Sequence, residues 1–210
     1  MTMKAKTYKL LIGCCAGIIA IMAISFTPSG AGYQVGDTVK DFNLKNIDGK
    51  KVSLAGLQNN KGAIVIFTCN HCPFSVAYED RIIALHRKYE SQGFPVVAIN
   101  PNDANKVPDD SYDKMKERAK EKNFQFPYLH DATQETARAF GAARTPHVFL
   151  LTRDGSSYKV AYIGAIDNNT DEPEAVTQKY VETAVEELLK GKSVSTNFTK
   201  AIGCTIKWKS

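Results

Sequence analysis

The chain has 210 residues, 43% of them hydrophobic and 23% charged, which is typical of a globular protein with one sizeable core and excludes wholesale disorder or a fibrous architecture. Its five cysteines are too few for a small fold held together by disulfides. The formal net charge of +5 falls to +2, 24 basic against 22 acidic side chains, once the lysines before Asp37 are set aside, so nucleic-acid binding has little electrostatic support.

The N-terminal segment has the three parts of an export signal. Met1–Lys9 is basic, Leu10–Phe26 is an uncharged apolar run, and Thr27–Gly32 supplies the small residues of a processing site. A retained membrane anchor is an alternative, because the apolar run is at the lower length limit for crossing a bilayer, and lipid modification at Cys14 is a third interpretation. In each case residues 1–31 are a signal peptide or N-terminal anchor, which places the body of the protein in an extracytoplasmic, oxidising space.

The body begins with a predicted hairpin and a βαβ unit. Asp41–Leu57 alternates apolar and polar residues around an Asn-Ile-Asp-Gly turn. Ala63–Phe67 and Pro95–Ile99 are continuous apolar runs, typical of strands that are covered on both faces. Between them, apolar residues recur at helical spacing from Phe74 to Tyr89. A strand, a helix and a strand in this order predict a parallel pair.

The second half of the body continues the alternation of helices and strands. The later elements, in chain order, are a charged helix ending near Lys122, a helix over Thr133–Phe140, strands over His147–Leu151 and Tyr158–Ile163, and a helix striped from Val176 to Leu188. Asp110 or Ser111 is expected to cap the first of these helices, and the two strands are antiparallel because their connection is short. The predicted fold is therefore an α/β domain over residues 32–192, one mixed sheet with helices on both faces, followed by a tail over residues 193–210.

The motif that carries chemistry is Cys69-Asn70-His71-Cys72-Pro73, where the first buried strand gives way to its helix. Unpaired N–H groups and the dipole at a helix N-terminus stabilise an anion, so Cys69 is expected to be held as a thiolate. In this interpretation Cys69 attacks a substrate disulfide and Cys72 resolves the mixed disulfide. His71 adds positive charge, which favours the thiolate and makes the pair more oxidising.

A CxxC pair is also found in inert structural disulfides and in zinc sites. A zinc site needs a fourth ligand and normally a second close pair, and the body offers only Cys204 and scattered histidines. Gly-rich phosphate-binding loops are absent from the sequence, which argues against nucleotide enzymes. Redox-active thiols are therefore the favoured interpretation, with no metal and no small-molecule cofactor expected.

Several segments together resemble the thioredoxin superfamily. They are Ile64–Pro73, the pair Thr145-Pro146 before a buried strand, and the order of elements. The N-terminal hairpin and the long connection after Ile99 resemble its redoxin branch, the alkyl hydroperoxide reductase/thiol-specific antioxidant-like proteins, and Ile202–Trp208 is similar to an exported thioredoxin-like subgroup. The resemblance covers most of the body and implies a thioredoxin-like mixed sheet with an N-terminal β-hairpin.

The same resemblance implies roles for residues far from the cysteines. Pro146 is expected to be a cis-proline beside the active site, and Thr145 to present its backbone to a substrate strand. Arg144 either places a cation near the thiolate or is a solvated surface residue, and Cys204 is either a third redox thiol or a buried structural one. The implied partners are the thiols and disulfides of other proteins and a redox partner protein, with membrane contact only through the N-terminal segment.

This sequence departs from the family pattern at two positions that bear on proton transfer. The buried acid of thioredoxin is replaced by Ala63, and the glutamate that many exported relatives carry after the second cysteine is replaced by Ser75. Glu79, two turns along the helix, is expected to be a solvated charge.

Two other activities remain open. A thiol peroxidase of the peroxiredoxin type is an alternative, although no Thr or Ser lies three residues before either Cys69 or Cys72. A copper-handling metallochaperone is the other alternative, with Cys69, Cys72 and either His147 or His71 as ligands, since thiolates and imidazole suit copper.

Overall fold

The computed structural model describes Thr2 and residues 32–210. The expected signal peptide or anchor of residues 1–31 therefore lies, apart from Thr2, outside the described residues. Within the described part of the chain, no helix combines the length and the apolar character needed to cross a membrane.

The described chain alternates strands and helices as the sequence pattern predicts. The strands are β1 (Thr38–Val39), β2 (Asn43–Asn46), β3 (Lys51–Ser53), β4 (Gly62–Phe67), β5 (Val96–Asn100), β6 (Tyr128–His130), β7 (Arg144–Thr145), β8 (His147–Asp154), β9 (Ser157–Gly164) and β10 (Cys204–Thr205). The α-helices are α1 (Pro73–Tyr89), α2 (Tyr112–Glu121), α3 (Glu135–Phe140) and α4 (Tyr180–Leu189).

Eight strands form one mixed sheet in the order β1-β9-β8-β4-β5-β6-β2-β3, and β10 pairs with β7 in a separate two-stranded sheet. The parallel pairing of β4 with β5 confirms the predicted βαβ unit, and β8 and β9 are antiparallel as predicted. The predicted hairpin is confirmed as β2 and β3 at one edge of the sheet. The short strand β6 was not predicted as an element, and it joins the hairpin to the parallel strands.

The central strand β4 is buried on both faces, as its unbroken apolar sequence predicts. Ile64 and Ile66 pack on the side of α1, α2 and α4, while Val65 and Phe67 pack on the side of α3. Each such buried side chain contributes about 1.5–3 kcal/mol to folding. This double burial fixes the end of β4, and with it the position of the cysteines that follow.

The last helix starts later than its apolar stripe predicts. Residues Pro173–Ala175 form a short 3-10 turn that Val176 ends, and α4 begins only at Tyr180. The side-chain oxygen of Asn168 accepts hydrogen bonds from the N–H groups of the two residues after Val176. These bonds hold the preceding segment in a loop.

The expected tail of residues 193–210 packs against the rest of the domain. Ile206 is buried in the same core as α3, and Arg138 lies over the ring of Trp208 at 4.5 Å. The tail therefore contributes to the folded unit, and it brings Cys204 to the candidate site.

Candidate active site

The CxxC segment connects the end of β4 to the beginning of α1. Cys72 is the N-cap residue of α1, with an extended backbone (φ −68°, ψ 123°), and Pro73 is the first helical residue. Proline suits that position because its missing N–H has no partner to lose there. Cys69 lies one helical turn earlier in the chain. The structure therefore places the cysteine pair at the start of a helix, as the sequence predicts.

Thr145 contacts both cysteines from the opposite side of the site. Its Oγ1 lies 3.2 Å from the Cys69 sulfur, and its carbonyl accepts a hydrogen bond from the Cys72 thiol at 3.2 Å. The peptide bond between Thr145 and Pro146 is cis, which confirms the expectation drawn from the family resemblance. The four expected catalytic residues, Cys69, Cys72, Thr145 and Pro146, are thus brought together.

The two thiols interact, and this interaction decides which sulfur is more acidic. The pKa of Cys72 is lowered to about 4, chiefly by the hydrogen bond with Cys69 and further by the Cys204 thiol and by backbone N–H groups of Ser75 and Cys204. The pKa of Cys69 is raised, chiefly by the same hydrogen bond, then by burial and by the negative charge of Asp110. The two thiols therefore share one proton and titrate as a coupled pair.

The expectation that Cys69 is the attacking thiolate stays a prediction. Cys72 is the N-cap residue of α1, but its thiol donates to the Thr145 carbonyl, and only a protonated sulfur can make that bond. Cys69 is 3% exposed and Cys72 is completely buried, so neither sulfur gains its acidity from contact with water.

Asp110 is a member of the site that the sequence pattern assigned to helix capping. Its carboxylate is completely buried and accepts hydrogen bonds from the N–H groups of Asn70 at 2.7 Å and His71 at 3.3 Å. The His71 ring nitrogen Nδ1 and the side-chain amide of Asn102 bind the same carboxylate. The N-cap position of α2 belongs to Ser111 instead. Asp110 therefore holds the residues between the two cysteines in place.

Glu79 is buried, which corrects the expectation of a solvated charge. The side chain lines a small cavity beside Cys69, together with Tyr128. The Arg118 guanidinium donates to Glu79 at 2.7 and 2.9 Å. The sequence offered no signal for this pair because its two members lie on different helices, α1 and α2.

Arg144 was considered as a cation beside the thiolate and His147 as a copper ligand, and their contacts in the structure are with other groups. Arg144 donates to the carbonyl of Gly203 at 2.8 Å, so its cation is close to the tail. Burial and the Cys72 sulfur raise the pKa of Cys204 to about 11, and Lys207 and Arg144 offset only part of this shift. The His147 ring packs on Phe149 with its centroid 4.7 Å away, in the apolar environment on the side of α3. Burial, with a smaller effect of Arg144, lowers the pKa of His147 to about 4.

The potential metal-binding atoms differ from the set proposed for copper. Cys69, His71 and Asp110 each offer one ligand atom within 4.8 Å of the others, whereas His147 and Cys72 are not in this group of described residues. The Asp110 oxygens already accept four hydrogen bonds from nitrogen donors. The cluster therefore fits a hydrogen-bonded network better than an open cation site.

A mixed sheet whose central strand leads through a CxxC segment into a helix, opposite a cis-proline, defines a thioredoxin-superfamily protein. The chain belongs to the Redoxin family, whose family model matches residues 34–179. This confirms the resemblance to the redoxin branch that the sequence motifs indicate.

Relatives of known and unknown activity share this fold. Thiol-disulfide oxidoreductase ResA from Geobacillus thermodenitrificans (strain NG80-2) is 27% identical over 158 residues, which cover 74% of this chain and 84% of the relative. The crystal structure of an uncharacterized conserved protein from Geobacillus kaustophilus is 36% identical with a TM-score of 0.78, covering 86% of this chain and 95% of that one. A hypothetical protein from Sinorhizobium meliloti 1021 is 35% identical with a TM-score of 0.79, covering 86% and 98%.

Proposed function

We propose that this protein exchanges disulfides with other proteins through Cys69 and Cys72. It is an enzyme of the thiol–disulfide oxidoreductase class, to which the ResA relatives belong by name. One observation carries the assignment of the site. The two sulfurs interact with each other at the start of α1, and each lies 3.2 Å from an oxygen of Thr145. A dithiol arranged in this way can close to a disulfide and reopen with little rearrangement of the chain.

Cys69 is the proposed attacking sulfur, because the completely buried Cys72 thiol donates to the Thr145 carbonyl and is therefore protonated. The Cys69 thiolate attacks one sulfur of a substrate disulfide, which forms a mixed disulfide and releases the other substrate sulfur as a thiolate. Cys72 then gives up its proton and attacks the Cys69 sulfur. This step forms the Cys69–Cys72 disulfide and releases the second substrate thiol. The substrate is reduced by two electrons and the protein is oxidised by two, and the reverse sequence oxidises a substrate dithiol.

The substrates in this proposal are cysteine pairs of other proteins, recognised by strand addition beside Thr145 in the place that β10 takes in this structure. A separate redox partner protein restores the starting state of Cys69 and Cys72 after each turnover. The basic and apolar character of residues 1–31 supports an extracytoplasmic location, with contact to the membrane only through that segment.

Trapping of the mixed disulfide tests the proposal. The reduced Cys72→Ser variant retains the attacking sulfur and lacks the resolving one, so it should accumulate a covalent adduct with a disulfide-bonded model protein such as insulin. The Cys69→Ser variant should give no adduct. Adducts with Cys69→Ser alone would transfer the attacking role to Cys72, and no adduct with either variant would contradict the proposed function.

Peroxide consumption separates the proposal from the thiol-peroxidase alternative. A peroxide-reducing site of the peroxiredoxin type places a Thr or Ser hydroxyl three residues before the reacting cysteine, and the residue three before Cys69 is Ile66. We therefore expect slow loss of hydrogen peroxide in the presence of the reduced protein. Rapid loss that requires Cys69 would favour the peroxidase.

A further inference from the structure

The C-terminal tail is paired with the segment that carries Thr145. Cys204 lies opposite Thr145 and Thr205 opposite Arg144 in the antiparallel pair of β10 and β7. The N–H of Ile206 extends this pairing to the carbonyl of Ala143. An edge strand offers its unpaired N–H and C=O groups to any further strand. Here the chain's own tail fills the edge beside the active cysteines.

The tail is fixed in this place from both ends. Before β10, Arg144 donates to the carbonyl of Gly203. After β10, the carbonyl of Lys207 accepts from the N–H of Asp103 at 2.9 Å, and the N–H of Lys207 donates to Asn102 at 2.8 Å. The side chain of Ile206 between these contacts is buried. The strand is therefore a specific part of the fold.

Gly203 allows the tail to approach the site this closely. A Cβ atom at this position would lie 2.2 Å from the carbonyl oxygen of Thr145 and 3.1 Å from the nitrogen of Pro146. Any larger residue would have to push the tail away from Thr145. Glycine therefore sets the distance between β10 and the cysteine pair.

The close approach places a third thiol against the pair. The Cys204 thiol interacts with the sulfur of Cys72, and the N–H of Cys204 also stabilises a charge on that sulfur. Both residues are close to Thr145, Cys72 through its hydrogen bond to the carbonyl and Cys204 as its strand partner. A substrate cysteine on a strand added to β7 would have to occupy the position that Cys204 holds.

We propose that Cys204 is a third redox thiol, an internal substrate that exchanges with the Cys69–Cys72 disulfide. The inference rests on the proposed function, because it requires that disulfide to form. The deprotonated sulfur of Cys204 attacks the sulfur of Cys72. A Cys72–Cys204 bond forms, the Cys69–Cys72 bond breaks, and Cys69 leaves as a thiolate that takes up the proton lost by Cys204. The exchange needs no external oxidant, because no net electrons are transferred.

The product of this exchange links the tail covalently to the start of α1. While the Cys72–Cys204 disulfide is present, β10 remains on β7 and Cys72 is unavailable to a substrate. The tail then acts as a latch that a reductant must open. Reduction of this bond restores the free thiol of Cys72.

Oxidation of a variant without Cys69 tests the exchange partner directly. Reduced Cys69→Ser protein is treated with oxidised glutathione and its disulfides are mapped by mass spectrometry of non-reduced peptides. We expect an intramolecular Cys72–Cys204 disulfide, because Cys204 displaces glutathione from Cys72. The Cys69→Ser/Cys204→Ser control should keep glutathione on Cys72. A stable glutathione adduct in both proteins, without a Cys72–Cys204 link, would overturn the inference.

A second variant tests the fit of the tail without removing a thiol. Gly203→Ala should displace β10 and increase the rate at which iodoacetamide alkylates Cys72 in the reduced protein about tenfold or more, because local opening governs access to buried groups. Gly56→Ala is the matched control, since an added Cβ there meets only an ordinary contact at 3.6 Å. An unchanged rate in a folded Gly203→Ala protein would contradict the latch. Failure of an oxidised Cys204→Ser protein to form the Cys69–Cys72 disulfide would instead count against the proposed function.

Discussion

Asp110 binds the ring of His71 from a completely buried position, and its negative charge helps to raise the pKa of Cys69. This contact joins the CxxC segment to the loop before α2. Because the carboxylate also accepts N–H bonds from the same segment, its position relative to the sulfurs is fixed. The charge on Asp110 therefore acts on the ionisation of the pair.

Replacement of either partner should shift the reduction potential of the cysteine pair in opposite directions. Asp110→Asn removes a negative charge, favours the thiolate of the reduced form and should raise the potential by on the order of 30 mV, equivalent to about 1.4 kcal/mol. His71→Ala leaves the charge of Asp110 less compensated and should lower the potential. Equilibration with glutathione redox buffers measures both values. A shift of the two variants in the same direction would show that the Asp110 charge is not the cause.

The coupling of the two thiols predicts how alkylation of the reduced protein depends on pH. The hydrogen bond between Cys69 and Cys72 holds the pKa of one sulfur of the pair well below its ordinary value, so the rate constant for iodoacetamide should change little between about pH 6 and pH 8. An ordinary thiol gains reactivity steeply over that range. Peptide mapping identifies the modified residue at each pH.

The Cys69→Ser variant supplies the control for this pH profile. The hydrogen bond with the Cys69 thiol is the largest cause of the low pKa of Cys72. A serine hydroxyl is a different donor, so the midpoint of the alkylation profile should move upward towards the ordinary value of 9.0. A profile identical to that of the wild type would mean that the helix N-terminus alone sets the acidity.

The sequence allowed the fold around the site to be predicted, because the signals for it are local. The unbroken apolar run before Cys69 predicts a strand covered on both faces, and Pro73 marks the start of the helix. The position of Asp110 was not predictable in the same way. An acidic residue before a helix is a good capping signal, but the residues of the CxxC segment that bind Asp110 lie about 40 residues earlier in the chain. The parallel sheet brings them together, and a local rule does not detect this contact.

The same limit applies to the tail. The sequence indicates that Cys204 is a third thiol in the body, but no pattern in the neighbouring residues shows which cysteine it approaches. Its partner is determined by the pairing of β10 with β7. That pairing depends on Gly203, whose missing side chain is informative only when the position of Thr145 is known.

The buried pair of Glu79 and Arg118 should contribute to stability. Loss of one partner of a buried ion pair costs about 3–5 kcal/mol, and we expect roughly 2 kcal/mol for Glu79→Gln because the Arg118 side chain is 21% exposed to water. Urea denaturation of the reduced proteins measures the difference in the free energy of unfolding.

Glu117→Gln is the matched control for this measurement. Its partner Lys114 and Glu117 itself are both largely exposed, so the change should alter the free energy of unfolding by no more than about 0.5 kcal/mol. Equal effects of the two substitutions would show that the Glu79 pair contributes no more than a surface contact.

Protonation of His147 should reduce the stability of the protein in mildly acidic solution. Its pKa falls from 6.5 to about 4 on folding, chiefly because the ring is buried, so the unfolded chain binds more protons between these two values. The free energy of unfolding therefore decreases as the pH falls through this window, by on the order of 1 kcal/mol between pH 6.5 and pH 5 from this residue.

The His147→Gln variant has no imidazole to take up a proton, so its stability should depend less on pH. His86 and His130, whose pKa values are also lowered by burial, are present in both proteins and cancel in the comparison. Urea denaturation at several pH values measures the free energy of unfolding of both proteins. Parallel pH curves would show that protonation of His147 does not destabilise the folded state.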